Sequence, residues 1–118
     1  AHLNLGHTFA HAIEQVSGYT WPHGEAVGVG LLAAAYLSAG LGLAEVVLVE
    51  RVRALLLQVG LPVQLDDFDP NTIYAAMGAD KKWQSGRSRF VLLRGVGQPV
   101  IVEDVPRERV IAALDSLR

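Results

Sequence analysis

Residues 23–41 read HGEAVGVGLLAAAYLSAGL, and this stretch decides the fold. Residues 26–43 contain no charged side chain, but four glycines and Ser38 interrupt the apolar run. Because a membrane-spanning helix needs roughly 20 consecutive apolar residues, the pattern favours a buried helix within a folded core. Its many small residues would let neighbouring helices approach closely, so we predict that this is the central helix.

Two more helices are predicted, one on each side of the central helix in the sequence. Residues 5–17 place apolar side chains at mostly helical spacing, and Gly18 follows as a stop signal. Residues 44–59 combine an apolar face with a charged one and end before Gly60. The residues of this third helix predicted to face the core are Val46, Val49, Val52, Leu56 and Val59. We expect the three helices to pack as a small bundle.

The rest of the chain predicts two short helices and a β-hairpin. Residues 69–77 begin with an Asp-Pro pair, which is a typical helix start, and Pro106 opens a last helix to about residue 117. Residues 90–93 and 100–102 are β-favouring runs separated by a segment with two glycines. The predicted fold is therefore mainly α with a small β-hairpin, in one domain over residues 1–118.

The composition favours a small-molecule site. The chain has 118 residues, 51% of them hydrophobic, which is enough for one small core. Its net charge of -2, without a basic block, excludes an electrostatic footprint for nucleic acid or for an anionic membrane surface. Because the chain has no cysteine, imidazole and carboxylate groups must hold any metal, and the cytoplasm is the expected compartment. We interpret the start at Ala1 as a processed chain or an excised fragment.

Three of the four histidines lie between residues 4 and 25. On a helix, His7 and His11 are one turn apart, and Glu14 lies a further turn along on the same side. His23 stands at the start of the next helix, after a loop that can fold it back towards the first. Neutral imidazole is a normal ligand for zinc, so these residues predict a shared metal site.

A second interpretation is open at this point. The same histidines can be hydrogen-bonded groups on a half-buried face, with nearby carboxylates fixing their tautomers. The spacing lacks the HExxH context that makes a histidine pair more specific for metal. It also does not say which histidines are ligands and which is a base. For Glu14 and Glu25 we expect an orienting role beside a metal histidine rather than a reactive one.

Two motifs resemble a known family. Residues 3–14, LNLGHTFAHAIE, and residues 21–27, WPHGEAV, resemble the signature of 3-dehydroquinate synthases and related sugar phosphate cyclases. The likeness continues through the DKK at 80–82 and the RFVLL at 89–93. The resemblance implies the multihelical carboxy-terminal domain of that family, which binds metal and substrate. It also implies an amino-terminal NAD-binding domain outside this chain, with the active site between the two domains.

The resemblance assigns roles to individual residues. It implies that His7 and His23 are ligands of zinc, or of another divalent metal such as cobalt, and that a glutamate outside this chain is the third ligand. His11 is then the acid-base residue and also contacts substrate. Asn4 and one of the pair Lys81 and Lys82 would bind the substrate. Two departures from the family pattern are Ala10, where glycine is usual, and a connection before His23 that is one residue shorter than in some members.

The activity implied by the resemblance is 3-dehydroquinate synthase. This lyase of the shikimate pathway, which leads to aromatic amino acids, converts 3-deoxy-D-arabino-heptulosonate 7-phosphate to 3-dehydroquinate and phosphate with NAD and zinc. The full-length enzyme is expected to be a homodimer, and this chain alone is expected to be inactive. The alternatives are another sugar phosphate cyclase, such as 2-deoxy-scyllo-inosose synthase, and a non-catalytic helical binding module.

Overall fold

A long central helix, α2 (His23–Gly40), organises the protein in the computed structural model, which describes residues 5–78, 88–95 and 97–118. Among these residues, four further helices and two strands surround it: α1 (His7–Val16), α3 (Val46–Gln58), α4 (Pro70–Gly78), β1 (Arg89–Arg94), β2 (Gln98–Glu103) and α5 (Arg107–Asp115). The mainly helical fold with a small hairpin is therefore confirmed for the described part of the chain.

The central position predicted for α2 is confirmed by its burial. Ten of its 18 residues are buried, and α1, α3, α5 and β1 all pack against it. α4 contacts both α1 and α5 on the outside of this arrangement. The predicted bundle of three helices is thus part of a larger assembly around α2. Within the described residues, no helix has the length and apolarity that a bilayer span requires.

α3 differs from the prediction at its two ends. Val49 and Leu56 are buried and Val52 is half-buried, as predicted, but Val46 is 66% exposed and Val59 is 62% exposed. Val46 is the first residue of the helix and lies at the edge of the stripe that contains Val49 and Leu56, so helical periodicity alone does not decide whether it is buried. Val59 follows the last helical residue and precedes a turn, so helical periodicity does not direct its side chain to the core.

The hairpin places its own apolar face on the helices. β1 and β2 are antiparallel, with Phe90 opposite Val102 and Leu92 opposite Val100. Phe90 and Leu92 are both buried, and the ring of Phe90 lies 5.4 Å from the ring of Phe9 in α1. The strand therefore supports the helix that carries His7 and His11.

A buried hydroxyl joins α2 to β1. Ser38 is fully buried, and its Oγ donates to the carbonyl of Ala34 at 2.7 Å and accepts from the backbone N–H of Leu93 at 3.1 Å. One hydroxyl thus satisfies a strand N–H that faces the helix rather than the partner strand. This hydrogen bond helps to set the position of β1 along the axis of α2.

α1 begins where its backbone crosses that of α2. Gly6, which precedes the helix, has a φ of 74°, and a Cβ built on it would lie 2.6 Å from the N of Leu31. A Cβ built on Gly30 would lie 2.6 Å from the carbonyl oxygen of Gly6 and 2.9 Å from the N of Ala10. Both contacts are too short for any side chain, so only two glycines allow this crossing.

Candidate metal and substrate site

The first two histidines of the motif lie side by side on α1. The ring centroids of His7 and His11 are 4.2 Å apart and the ring planes are tilted by 39°. His7 is half-buried, whereas His11 is exposed. The helical spacing predicted for this pair is therefore present, and the two imidazoles share one face of the helix. Phe9 and Ala10, which lie between them in the sequence, are both buried and turn this face away from the core.

A hydrogen-bonded turn links α1 to α2. Gly18 and Tyr19 both have positive φ angles, of 63° and 64°. The backbone N–H of Tyr19 donates to the carbonyl of Glu14 at 2.8 Å, which is how a left-handed residue commonly ends a helix. The hydroxyl of Thr20 donates to the carbonyl of Ser17 at 2.7 Å. These bonds bring the start of α2 back beside the last turn of α1.

The turn brings His23 to Glu14. The Nδ1 of His23 and the Oε2 of Glu14 are 3.1 Å apart. The side chain of His23 is 68% exposed, while that of Glu14 is only 15% exposed. The carboxylate therefore holds one ring nitrogen of a surface imidazole, and the other ring nitrogen, Nε2, is the one available to a ligand or a metal.

The three imidazoles and Glu14 consequently lie next to one another along α1 and the start of α2. His7 contacts His11, Glu14 is three residues beyond His11 on the same side of α1, and Glu14 contacts His23. The donor groups are thus three imidazoles and one carboxylate, on α1 and at the start of α2. Such a donor set suits a divalent metal of the zinc type, which takes imidazole and carboxylate ligands.

The site is not closed by the described residues. In the part of the chain that the structure describes, no group of three histidine, aspartate or glutamate side chains is close enough together to hold a metal ion. Asn4, Lys81 and Lys82, which the sequence nominated for substrate binding, lie outside the described residues. Glu25 is half-buried in the first turn of α2 and lines a surface groove of about 300 Å³ that is formed with residues 20–22 and with Pro62 and Gln64.

Sequence reasoning missed Gly6 and Tyr19, whereas the close approach that Gly30 allows was predicted from the small residues of the central helix. Gly6 and Gly30 set the crossing that positions His7, and Tyr19 adopts a left-handed conformation although it has a large side chain that is 70% exposed. Gly6 could have been recognised, because a glycine directly before a predicted helix start is a visible signal. Nothing in the local sequence predicts a positive φ at a tyrosine, a conformation that is uncommon outside glycine and asparagine.

A family model and a set of curated relatives match the chain. The model described as "3-dehydroquinate synthase C-terminal" matches residues 1–83. A 3-dehydroquinate synthase from Dehalococcoides mccartyi is 43% identical over 116 residues, which is 98% of this chain and 32% of the relative. Another from Nitrosospira multiformis is 47% identical over 105 residues, 88% of this chain and 29% of the relative. The chain thus spans about a third of the length of these relatives.

Solved structures with the same fold are sugar phosphate cyclases. A 2-epi-5-epi-valiolone synthase from Streptomyces hygroscopicus subsp. jinggangensis, solved with NAD+ and Zn2+ bound, has a TM-score of 0.83 and 30% identity, covering 97% of this chain and 32% of that chain. A 2-deoxy-scyllo-inosose synthase, complexed with carbaglucose-6-phosphate, NAD+ and Co2+, has a TM-score of 0.82 and 26% identity, covering 98% of this chain and 33% of that chain.

Proposed function

The chain belongs to the 3-dehydroquinate synthase family, and from that premise we propose that it is the metal- and substrate-binding part of a 3-dehydroquinate synthase. The proposed reaction converts 3-deoxy-D-arabino-heptulosonate 7-phosphate to 3-dehydroquinate with loss of phosphate, a carbon–oxygen lyase step of the shikimate pathway. The observation that carries this proposal is the row of His7, His11, Glu14 and His23 on one face, at the positions of the family's motifs.

The donor set on this face fits a divalent metal. His7 and His23 would hold it, with zinc as the first choice and cobalt as an alternative, and a glutamate from outside this chain would complete the ligands. When bound, such a metal supplies Lewis acidity to substrate hydroxyls, and NAD, held by an amino-terminal domain, supplies reversible hydride acceptance. The relatives solved with Zn2+ or Co2+ and with NAD+ support this assignment for the family.

His11 is the residue we assign to proton transfer. Its ring packs on the ring of His7 and is exposed, so it can reach a substrate that contacts the same face. An imidazole is the usual group for proton transfer near neutral pH. Asn4 would donate to a polar group of the substrate, and Lys81 or Lys82 would neutralise its anionic end. These last assignments rest on the motifs alone.

The chain is proposed to act only together with an amino-terminal NAD-binding domain. It spans about a third of the relatives' length, and the site described above presents two candidate metal ligands on an open face. A homodimer is the proposed assembly of the complete enzyme. By itself the chain should bind metal weakly and should not turn over substrate, because one ligand and the hydride acceptor would be missing.

A second cyclase activity is the competing proposal. The solved structures with TM-scores of 0.83 and 0.82 are a 2-epi-5-epi-valiolone synthase and a 2-deoxy-scyllo-inosose synthase, so this fold serves more than one sugar phosphate. Sequence identity favours 3-dehydroquinate synthase activity. The chain is 43% and 47% identical to two 3-dehydroquinate synthases, but only 30% and 26% identical to those two cyclases.

A domain replacement tests the proposal. The matching third of the Dehalococcoides mccartyi relative would be replaced by this chain, and phosphate release from 3-deoxy-D-arabino-heptulosonate 7-phosphate would be measured with NAD and zinc. We expect the chimera to be active and the isolated chain to be inactive. An inactive chimera that folds and binds NAD would refute the proposal, and activity on another sugar phosphate only would favour the second cyclase activity.

A further inference from the structure

We propose that Glu14 is a positioning residue that fixes the tautomer of His23, so that Nδ1 carries the proton and Nε2 is the nitrogen offered to the metal. This inference rests on the proposed function for the identity of the ligand, but its structural basis is independent. The Oε2 of Glu14 lies 3.1 Å from the Nδ1 of His23. A carboxylate accepts and does not donate, so this contact requires a proton on Nδ1.

The two partners differ in how firmly they are held. The side chain of His23 is 68% exposed at the first position of α2, and such an imidazole would otherwise rotate and exchange tautomers. The side chain of Glu14 is 15% exposed, and it follows the fully buried Ile13 on α1. The less mobile group therefore orients the more mobile one.

Glu14 also holds the backbone that leads to His23. Its carbonyl oxygen accepts from the backbone N–H of Tyr19 at 2.8 Å and from the hydroxyl of Ser17 at 3.0 Å. The hydroxyl of Ser17 accepts in turn from the backbone N–H of Trp21 at 3.4 Å. One residue thus anchors the turn through its main chain and the imidazole through its side chain.

This arrangement has a chemical consequence. Outside a folded protein, a neutral imidazole distributes its proton over both nitrogens. A carboxylate bonded to one ring nitrogen selects the tautomer and the orientation of a metal-ligating histidine, and its loss typically reduces metal affinity roughly 10–100-fold. Glu14 would therefore determine the affinity of the site without touching the metal.

Histidine ring nitrogen NMR tests the tautomer directly. Spectra of the metal-free chain would be recorded at about pH 8.5, where an imidazole is neutral, for the natural sequence and for Glu14→Ala and Glu14→Gln. We expect His23 to carry its proton on Nδ1 in the natural sequence and to return to a mixture in Glu14→Ala. Glu14→Gln should retain most of the Nδ1 tautomer, because the amide oxygen still accepts. Gln15→Ala, an exposed change on the same helix, is the control.

Zinc affinity of the domain-replacement chimera supplies the second readout. We expect Glu14→Ala to weaken zinc binding roughly 10–100-fold, with partial recovery in Glu14→Gln. An unchanged His23 tautomer in a folded Glu14→Ala chain would overturn the inference while leaving the proposed function intact. A chimera with Glu14 in place that binds no zinc would overturn the proposed function and the metal-orienting role of Glu14, even where the spectra show that Glu14 selects the tautomer of His23.

Discussion

Gly6 and Gly30 meet at the crossing of α1 and α2 with no room for a side chain on either. A Cβ on Gly30 would lie 2.6 Å from the carbonyl oxygen of Gly6, and a Cβ on Gly6 would lie 2.7 Å from the carbonyl oxygen of Gly30. His7 follows Gly6 directly, and His23 lies two turns before Gly30 on the other helix. The distance between the two backbones therefore also sets the separation of the two predicted metal ligands.

Gly30→Ala is expected to destabilise the protein by about 1–3 kcal/mol, the usual cost of an overpacked contact in a core. The new methyl would meet backbone atoms of Gly6 and Ala10, which cannot rotate away. Gly40→Ala, at the end of the same helix, is the matched control, because a Cβ there meets nothing within 4 Å. Gly40→Ala should stabilise the folded protein by about 0.4–1 kcal/mol. Urea unfolding of both variants measures the difference, and equal midpoints would contradict the close crossing.

The elements were predictable because their ends carry local signals. Gly18 ends α1, and the prolines at 70 and 106 stand at the starts of α4 and α5, so the predicted limits fall within a few residues of the observed ones. The candidate site was predictable in part, since helical spacing alone places His7 beside His11.

The remaining features depend on tertiary contacts that local patterns do not contain. Val46 was wrongly placed in the core because periodicity does not say which of several apolar residues faces the neighbouring helix. Tyr19 owes its positive φ to the turn that joins two packed helices. The contact of Glu14 with His23 spans nine residues and depends on that turn. Ala10, where the resemblance predicts a glycine, is accommodated because Gly30 faces it.

Ser38→Ala should cost about 1–3 kcal/mol of stability, because the half-buried backbone N–H of Leu93 loses the acceptor that the fully buried Ser38 provides. The hydroxyl now accepts from that N–H at 3.1 Å. Ser116→Ala is the control, since its hydroxyl makes the same kind of bond to a carbonyl four residues earlier but is exposed. That change should be nearly neutral. Thermal unfolding of the two variants compares them, and a neutral Ser38→Ala would mean that the hairpin is not fixed through this hydroxyl.

The carboxylate of Asp69, which caps the start of α4, should make the stability of the protein depend on pH. The backbone N–H of Asn71, at 2.8 Å, and then its side-chain amide, at 3.0 Å, lower the pKa of Asp69 from its ordinary value of 3.8. A depressed pKa stabilises the folded state at pH values above the unfolded pKa, and this contribution disappears as the pH falls through the folded pKa. Asp69→Ala should therefore lower the melting temperature at pH 7 and make little difference near pH 2.

The control for that comparison is Asp67→Ala, the same chemical change at an exposed position two residues earlier. It should leave the melting temperature nearly unchanged at both pH values. If Asp69→Ala lowered the melting temperature equally at pH 7 and pH 2, the effect would come from helix propensity or packing and not from the ionised cap.

His7→Ala is expected to abolish tight zinc binding in the domain-replacement chimera. The loss should exceed the roughly 10–100-fold expected when only an orienting partner is removed, because a direct ligand is lost. His2→Ala is the control, since His2 lies outside the motif that nominates the ligands. Competition with a zinc chelator measures both affinities. Unchanged zinc binding in His7→Ala would mean that other groups on this face hold the metal.

His11→Ala separates proton transfer from metal binding on the same helix face. Because we assign His11 to the substrate and not to the metal, the variant of the domain-replacement chimera should retain zinc in the chelator competition. Its rate of phosphate release should fall by about 10²–10⁴-fold, the usual contribution of a general acid or base. Its ring packs 4.2 Å from that of His7, so a modest loss of zinc affinity from altered packing is compatible with this role. Loss of zinc as severe as in His7→Ala would instead make His11 a ligand and would reverse the division of roles between the two histidines.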